Sequence, residues 1–208
     1  MNMIAFSGLS GSGKSTIARI LAKEINAACI SEPEENAWPD ILKYREKYGR
    51  STALLALRNI WAQQYIDGDI LRKEGKVVFL DSYFFKINGY YLAKPGMSWL
   101  IPSHDPYLSV LIQISKLDQI CFPDADYVIL LEVDFDDWKL FLQTRGREID
   151  KNPGFEDSYI LDKKYIEDAT IEHCTTYGIK LIRFQQKFGD PHVQAQLLQE
   201  LLVAQGVI

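Results

Sequence analysis

Gly8-Leu9-Ser10-Gly11-Ser12-Gly13-Lys14-Ser15-Thr16 is the stretch on which the fold turns. It satisfies G-x-x-x-x-G-K-[ST] at every required position. Before it runs Met3-Ile4-Ala5-Phe6-Ser7, an apolar strand pattern. After it, Lys14–Asn26 sets Ile17, Ile20, Leu21 and Ile25 on one helical face. A strand, a glycine-rich turn and a helix start together make an anion site. Glycines let the backbone wrap closely around phosphate oxygens, and their N–H groups point inward. The helix N-terminus adds a partial positive charge. The ATP-binding set read from this pattern is Gly8, Ser10, Gly11, Ser12, Gly13, Lys14, Ser15 and Thr16. Lys14 reaches the β- and γ-phosphates, and Ser15 offers its hydroxyl to Mg²⁺.

Outward from this loop, four more apolar runs read as strands: Ala27–Ser31, Lys76–Asp81, Tyr127–Val133 and Lys180–Phe184. Their near-continuous apolar character predicts a parallel sheet covered on both faces. Helical patterns lie between and after them, over Thr52–Lys73, Pro106–Asp118, Asp136–Arg145, Tyr159–Tyr177 and His192–Ala204. Strands alternating with helices give an α/β doubly wound architecture. The expectation is one domain over residues 1–208, with the three-layer P-loop NTPase fold and a five-stranded parallel sheet flanked by helices. Two stretches interrupt the alternation, Ala93–Pro106 and Gly146–Ser158. The second, with its preceding arginine, predicts a lid over 145–158; the first reads as binding loop or surface connection.

Composition narrows the partners. Hydrophobic residues are 47% and charged residues 25% of the chain, which excludes a disordered tail or a disulfide scaffold. The formal charge of −5 disfavours a polymeric nucleic acid as ligand, because that needs a basic face. Apolar runs such as Tyr127–Leu131 are too short to cross a bilayer, and the N-terminus lacks a signal-peptide pattern. Cys29, Cys121 and Cys174 are odd in number and far apart, read as buried small hydrophobes. The setting expected is cytoplasmic, without a membrane partner. His104, His173 and His192 lack the spacing of a zinc site.

Val77-Val78-Phe79-Leu80-Asp81 is an apolar strand ending in a carboxylate, where a P-loop protein holds Mg²⁺. No N-K-x-D or D-x-x-G stretch suggests a GTPase, and no L-S-G-G-Q stretch suggests a transporter ATPase. Small-molecule phosphotransferases remain. Within these, the chain resembles the deoxynucleoside kinase and thymidylate kinase group. Ser31-Glu32-Pro33 followed by Trp38 is similar to that group's Glu-Pro…Trp segment. The resemblance implies that Glu32 is the base at the acceptor hydroxyl and that Trp38 lines the nucleoside pocket. Trp61-Ala62-Gln63-Gln64-Tyr65 resembles the stretch whose glutamine hydrogen-bonds the base, with Gln63 the best match. Gln143-Thr144-Arg145-Gly146-Arg147-Glu148 resembles the lid, which implies that Arg145 and Arg147 clamp the transferring group. The implied catalytic set is Lys14, Glu32, Asp81, Arg145 and Arg147, with ATP as donor, Ser15 and Asp81 on Mg²⁺, and a nucleoside-like acceptor.

Plainer readings stand beside these. Glu32 sits with Glu34 and Glu35 in an acidic loop, Gln63 suits an exposed helix face, and Trp38 suits a core. Basic residues such as Arg145 also favour a helix C-terminus on electrostatic grounds. Tyr83, Phe84, Phe85, Tyr90, Tyr91 and Trp99 read as acceptor wall, as core, or as the subunit contact of a homodimer. The sequence departs from the group where Arg normally follows the acidic residue: here Ser82 follows Asp81, with Lys86 five residues beyond Asp81. Two further readings therefore stand open: a nucleotide-binding regulator without transfer, and a kinase of a non-nucleoside compound.

Overall fold

The computed structural model describes residues 1–34, 37–85, 87, 92, 101–146 and 156–208. Strand β1 (Met3–Gly8) leads through the glycine loop into α1 (Lys14–Glu24) and β2 (Ala28–Ile30). Then come α2 (Asp40–Lys43), α3 (Arg45–Tyr48), α4 (Arg50–Lys73) and β3 (Val78–Leu80). The chain continues through α5 (Leu108–Cys121), β4 (Tyr127–Val133), α6 (Phe135–Arg145), α7 (Tyr159–Tyr177), β5 (Lys180–Gln186) and α8 (Pro191–Ala204). The five strands form one parallel sheet, as expected, and their order in it is β2-β3-β1-β4-β5. The order reverses beside β1, and ligands of such sheets bind outside the carboxyl ends at that point.

Period-two alternation divides the apolar residues of the central strands between two layers. Ile4 and Phe6 face one side with Phe79, Ile129 and Leu131, covered by Ile17 and Leu21 of α1 and Leu198 and Leu202 of α8. Met3 and Ala5 face the other with Val78, Leu80 and Val128, covered by Trp61 and Tyr65 of α4 and Cys174 of α7. The near-continuous apolar expectation fails at β5, whose residues alternate between exposed and buried. β5 is an edge strand, so Arg183 and Gln185 face water while Ile182, Phe184 and Gln186 face α1 and α8. α8 begins where chemistry favours it: Asp190 accepts from the His192 N–H at 2.9 Å, and Pro191 takes the first turn.

Tyr83, Phe84 and Phe85 are core: all three are buried, and the Phe85 ring stacks on His173 at 4.7 Å. That removes them as an acceptor wall or subunit contact, because the segment after β3 turns inward beneath α4 and α7. Tyr90, Tyr91, Trp99 and Lys86 lie outside the described residues. All three cysteines are free thiols; Cys174 is buried, with its thiol pushed up to about 11 by that burial. Cys121 departs from expectation by standing exposed at the end of α5. No described helix is long and apolar enough to cross a membrane.

Candidate active site

The loop between β1 and α1 forms one wall of a cleft of about 480 Å³ at the carboxyl end of the sheet. Gly8 is required at its start. A Cβ there would stand 2.6 Å from the Leu131 carbonyl oxygen, breaking the β1–β4 pairing. Gly13 caps α1 in the left-handed region, at φ 84°, and no side chain caps the helix. The first-turn N–H groups of α1 therefore have no capping side chain and no partner within the helix itself. The loop is closed by Ser12 N–H donating to the Leu9 carbonyl at 3.2 Å. Lys14 Nζ donates to the carbonyls of Gly8 at 2.9 Å and Leu9 at 2.6 Å, holding its charge against the loop. Gly8, Ser10, Gly11, Gly13, Lys14, Ser15 and Thr16 all line the cleft. Ser12 is buried behind it.

Asp81 and Glu32 meet across the ends of β3 and β2. The Asp81 N–H donates to the Ile30 carbonyl at 3.2 Å, and Asp81 Oδ1 accepts from the Glu32 N–H at 2.9 Å. Burial pushes the Asp81 carboxyl upward, and the Glu32 charge adds to it. The Glu32 amide, the Ser15 hydroxyl and the Lys14 charge pull only part of the way back. Asp81 Oδ2 is buried and finds no hydrogen-bond partner among the described residues. An unpartnered carboxylate oxygen next to a serine hydroxyl, facing a phosphate loop, fits a Mg²⁺ ion with its preference for oxygen ligands. Ser15 and Asp81 are the residues that would hold it.

This geometry gives a stability prediction. Because the folded carboxyl titrates above 3.8, its ordinary value, ionising it costs the metal-free fold stability. That cost is absent at pH below 3.8 and grows as pH rises through the raised folded value. Asp81→Asn is therefore expected to raise the Tm of the metal-free protein at neutral pH. The variant should also lose Mg²⁺-dependent nucleotide binding. Unfolding scans across pH, with and without Mg²⁺, check both signs.

Glu32 is held from the side by α4, since Trp61 Nε1 donates to Glu32 Oε1 at 2.7 Å. Trp38 also lines the cleft, its indole N–H turned back onto the Pro33 carbonyl at 2.9 Å. Arg145 closes the opposite side, with Nη1 donating to Ser10 Oγ at 3.1 Å. Arg147 and residues 147–155 of the expected lid lie outside the described residues.

Gln63 is corrected. It is exposed, and its amide donates to Asp67 Oδ1 at 2.8 Å along the same helix. With Trp61 on the cleft side of α4, a side chain two residues on is turned by about 200°, away from the cleft. Gln64 shares the inner face instead, and is 5% exposed. Neither its oxygen nor its nitrogen finds a partner among the described residues.

The sequence reading also passed over Arg19, Trp61 and Trp138. Arg19 lies one helical turn beyond Ser15, lines the cleft and pairs with Glu34 at 3.0 Å. Counting turns from Ser15 would have found it. The Trp61 and Trp138 contacts join residues 29 and 128 positions apart, and nothing local marks them.

No protein-family model matches the chain, and no curated protein sequence matches it. Solved structures do. A deoxyadenosine kinase from M. mycoides with bound dCTP superposes with TM-score 0.70 at 18% identity, over 97% of this chain and 99% of that one. Thymidylate kinase from Ehrlichia chaffeensis gives TM-score 0.57 at 15% identity, covering 97% and 98%. Thymidylate kinase from Candida albicans gives TM-score 0.61 at 16% identity, covering 100% and 93%. The fold is that of the P-loop nucleoside and nucleotide kinases. Within that class the similar structures are deoxynucleoside and thymidylate kinases, so the expected resemblance holds at the level of fold.

Proposed function

We propose that the protein is a kinase that moves the terminal phosphoryl group of ATP onto the hydroxyl of a nucleoside or similar small compound. The observation that carries this reading is the meeting of three strand ends in one cleft: the phosphate loop after β1, Glu32 after β2 and Asp81 after β3. The loop amides and Lys14 hold the triphosphate. Ser15 and Asp81 would hold Mg²⁺, which would supply positive charge to the phosphate oxygens. Glu32 accepts the proton of the acceptor hydroxyl as the new O–P bond forms and the bond to the leaving diphosphate breaks. Arg145 adds charge at the transferring group. Trp38, Trp61 and Leu57 provide an apolar wall for an acceptor. Three free thiols suit the reducing compartment that a cytoplasmic enzyme would occupy.

Two features favour an uncharged acceptor over a nucleoside monophosphate. Ser82, where the group carries arginine, is 1% exposed and neutral. Among the described residues the cleft's cations are Lys14 and Arg145 on the phosphate loop, and Arg19, which is paired with Glu34. Gln64, in place of Gln63, is the amide assigned to the acceptor base. Gln64→Leu is then expected to raise the acceptor KM with the donor KM unchanged, whereas Gln63→Ala changes neither; steady-state kinetics in both substrates checks this.

The deciding experiment is a panel of nucleosides, nucleoside monophosphates and simple alcohols incubated with ATP and Mg²⁺. A phosphorylated nucleoside is the expected product. The neutral Ser82 also keeps a second reading in play, a nucleotide-binding regulator. That reading requires ATP binding by calorimetry with no product from any acceptor, a result that would overturn the kinase assignment.

A further inference from the structure

Helix α6 grips the phosphate loop at three points on one face. Trp138 donates its indole N–H to the Ser10 carbonyl at 2.9 Å. Leu142 packs so close beneath Gly11 that a Cβ there would stand 2.5 Å from Leu142 Cδ2. Arg145 Nη1 reaches Ser10 Oγ at 3.1 Å.

The first contact decides where one amide points. In a planar trans peptide the Ser10 carbonyl and the Gly11 N–H face opposite ways. Trp138 is 2% exposed and lies among Leu9, Val133, Leu142 and Tyr159. The carbonyl it holds is therefore turned into α6, and the Gly11 N–H points the opposite way, from a residue that lines the cleft. Gly11 sits at φ 82°. Glycine adopts positive and negative φ about equally, so its own preference does not fix this peptide plane. A flipped plane would present a carbonyl oxygen to the anion site.

We propose that Trp138 is a positioning residue of the phosphate loop: its indole N–H keeps the Ser10–Gly11 peptide turned so that the Gly11 N–H meets the donor's polyphosphate. This rests on the reading of the loop as a triphosphate site.

The test replaces Trp138 with β-(3-benzothienyl)alanine, which keeps the bicyclic shape and puts sulfur where the N–H was. Trp138→Phe is made alongside. Calorimetry with Mg-ATP and with inorganic tripolyphosphate reads the loop directly, since tripolyphosphate has no base or sugar. Both variants are expected to bind tripolyphosphate about tenfold more weakly, as the loss of one hydrogen bond implies. The donor KM should rise with the acceptor KM unchanged. A purely structural role would lower Tm and leave the tripolyphosphate Kd of the folded protein where it was. In the unaltered protein, the Gly11 amide proton should move downfield on adding tripolyphosphate, a measurement independent of how the variants fold. Wild-type affinity in the sulfur analogue, or a Gly11 amide indifferent to tripolyphosphate, overturns the proposal. If the unaltered protein binds neither probe, the triphosphate reading itself falls, and the role of Trp138 with it.

Discussion

Lys14→Ala is expected to lower phosphoryl transfer by about 10²–10³-fold or more, the cost of removing a preorganised donor from developing charge. In the proposed reaction, the ammonium that rests on the Gly8 and Leu9 carbonyls is the charge that meets the incoming phosphates. Transfer through a loose transition state depends almost wholly on positioning and positive charge, so its loss is felt in the chemical step. The fold should survive. The two carbonyls released belong to a loop lining an open cleft, where water replaces the lysine, so the stability cost is about 1 kcal/mol. Single-turnover kinetics beside a thermal scan separates the two effects. Turnover within tenfold of the parent, in a folded variant, would remove Lys14 from the phosphate site.

Glu32→Gln carries the second large effect, about 10²–10⁴-fold in turnover, the usual contribution of a positioned general base. The substitution is shaped to spare everything else. A glutamine oxygen still accepts from Trp61 Nε1, and the main-chain N–H of residue 32 still donates to Asp81. Donor binding should therefore persist. A second sign distinguishes this from local collapse. The Glu32 charge is one cause of the raised Asp81 pKa, so its removal leaves Asp81 more fully ionised at a given pH. Mg²⁺-dependent nucleotide affinity in Glu32→Gln should be at least that of the parent, and should persist to lower pH. Weaker metal-dependent binding would show that Glu32 supports the site instead of taking the proton.

The cleft residues that sequence reading singled out are those marked by a local position in the chain. The phosphate loop is nine contiguous residues between a strand and a helix, and Gly8 and Gly13 are where backbone geometry demands them. Glu32 and Asp81 each follow the end of an apolar run, and the carboxyl ends of parallel strands share one crevice. The outward position of Gln63 was not legible because composition does not set the rotational phase of a helix. Docking Trp61 and Tyr65 on the sheet side of α4 is what turns Gln64 inward and Gln63 out. The alternation of β5 escaped notice for a similar reason: a short apolar run does not say whether its strand lies at the centre or the edge of a sheet.

From the sequence alone came the parallel α/β architecture, the glycine-rich loop between its first strand and helix, and the two carboxylates beside it. Each depends on residues within a few positions of one another, where backbone sterics and hydrophobic periodicity act directly. The tertiary structure alone decided that Trp61 holds Glu32, that Trp138 holds the Ser10 carbonyl, and that Gln64 is the buried amide. Indole N–H groups and amides find partners through packing, and packing unites segments that the chain keeps far apart.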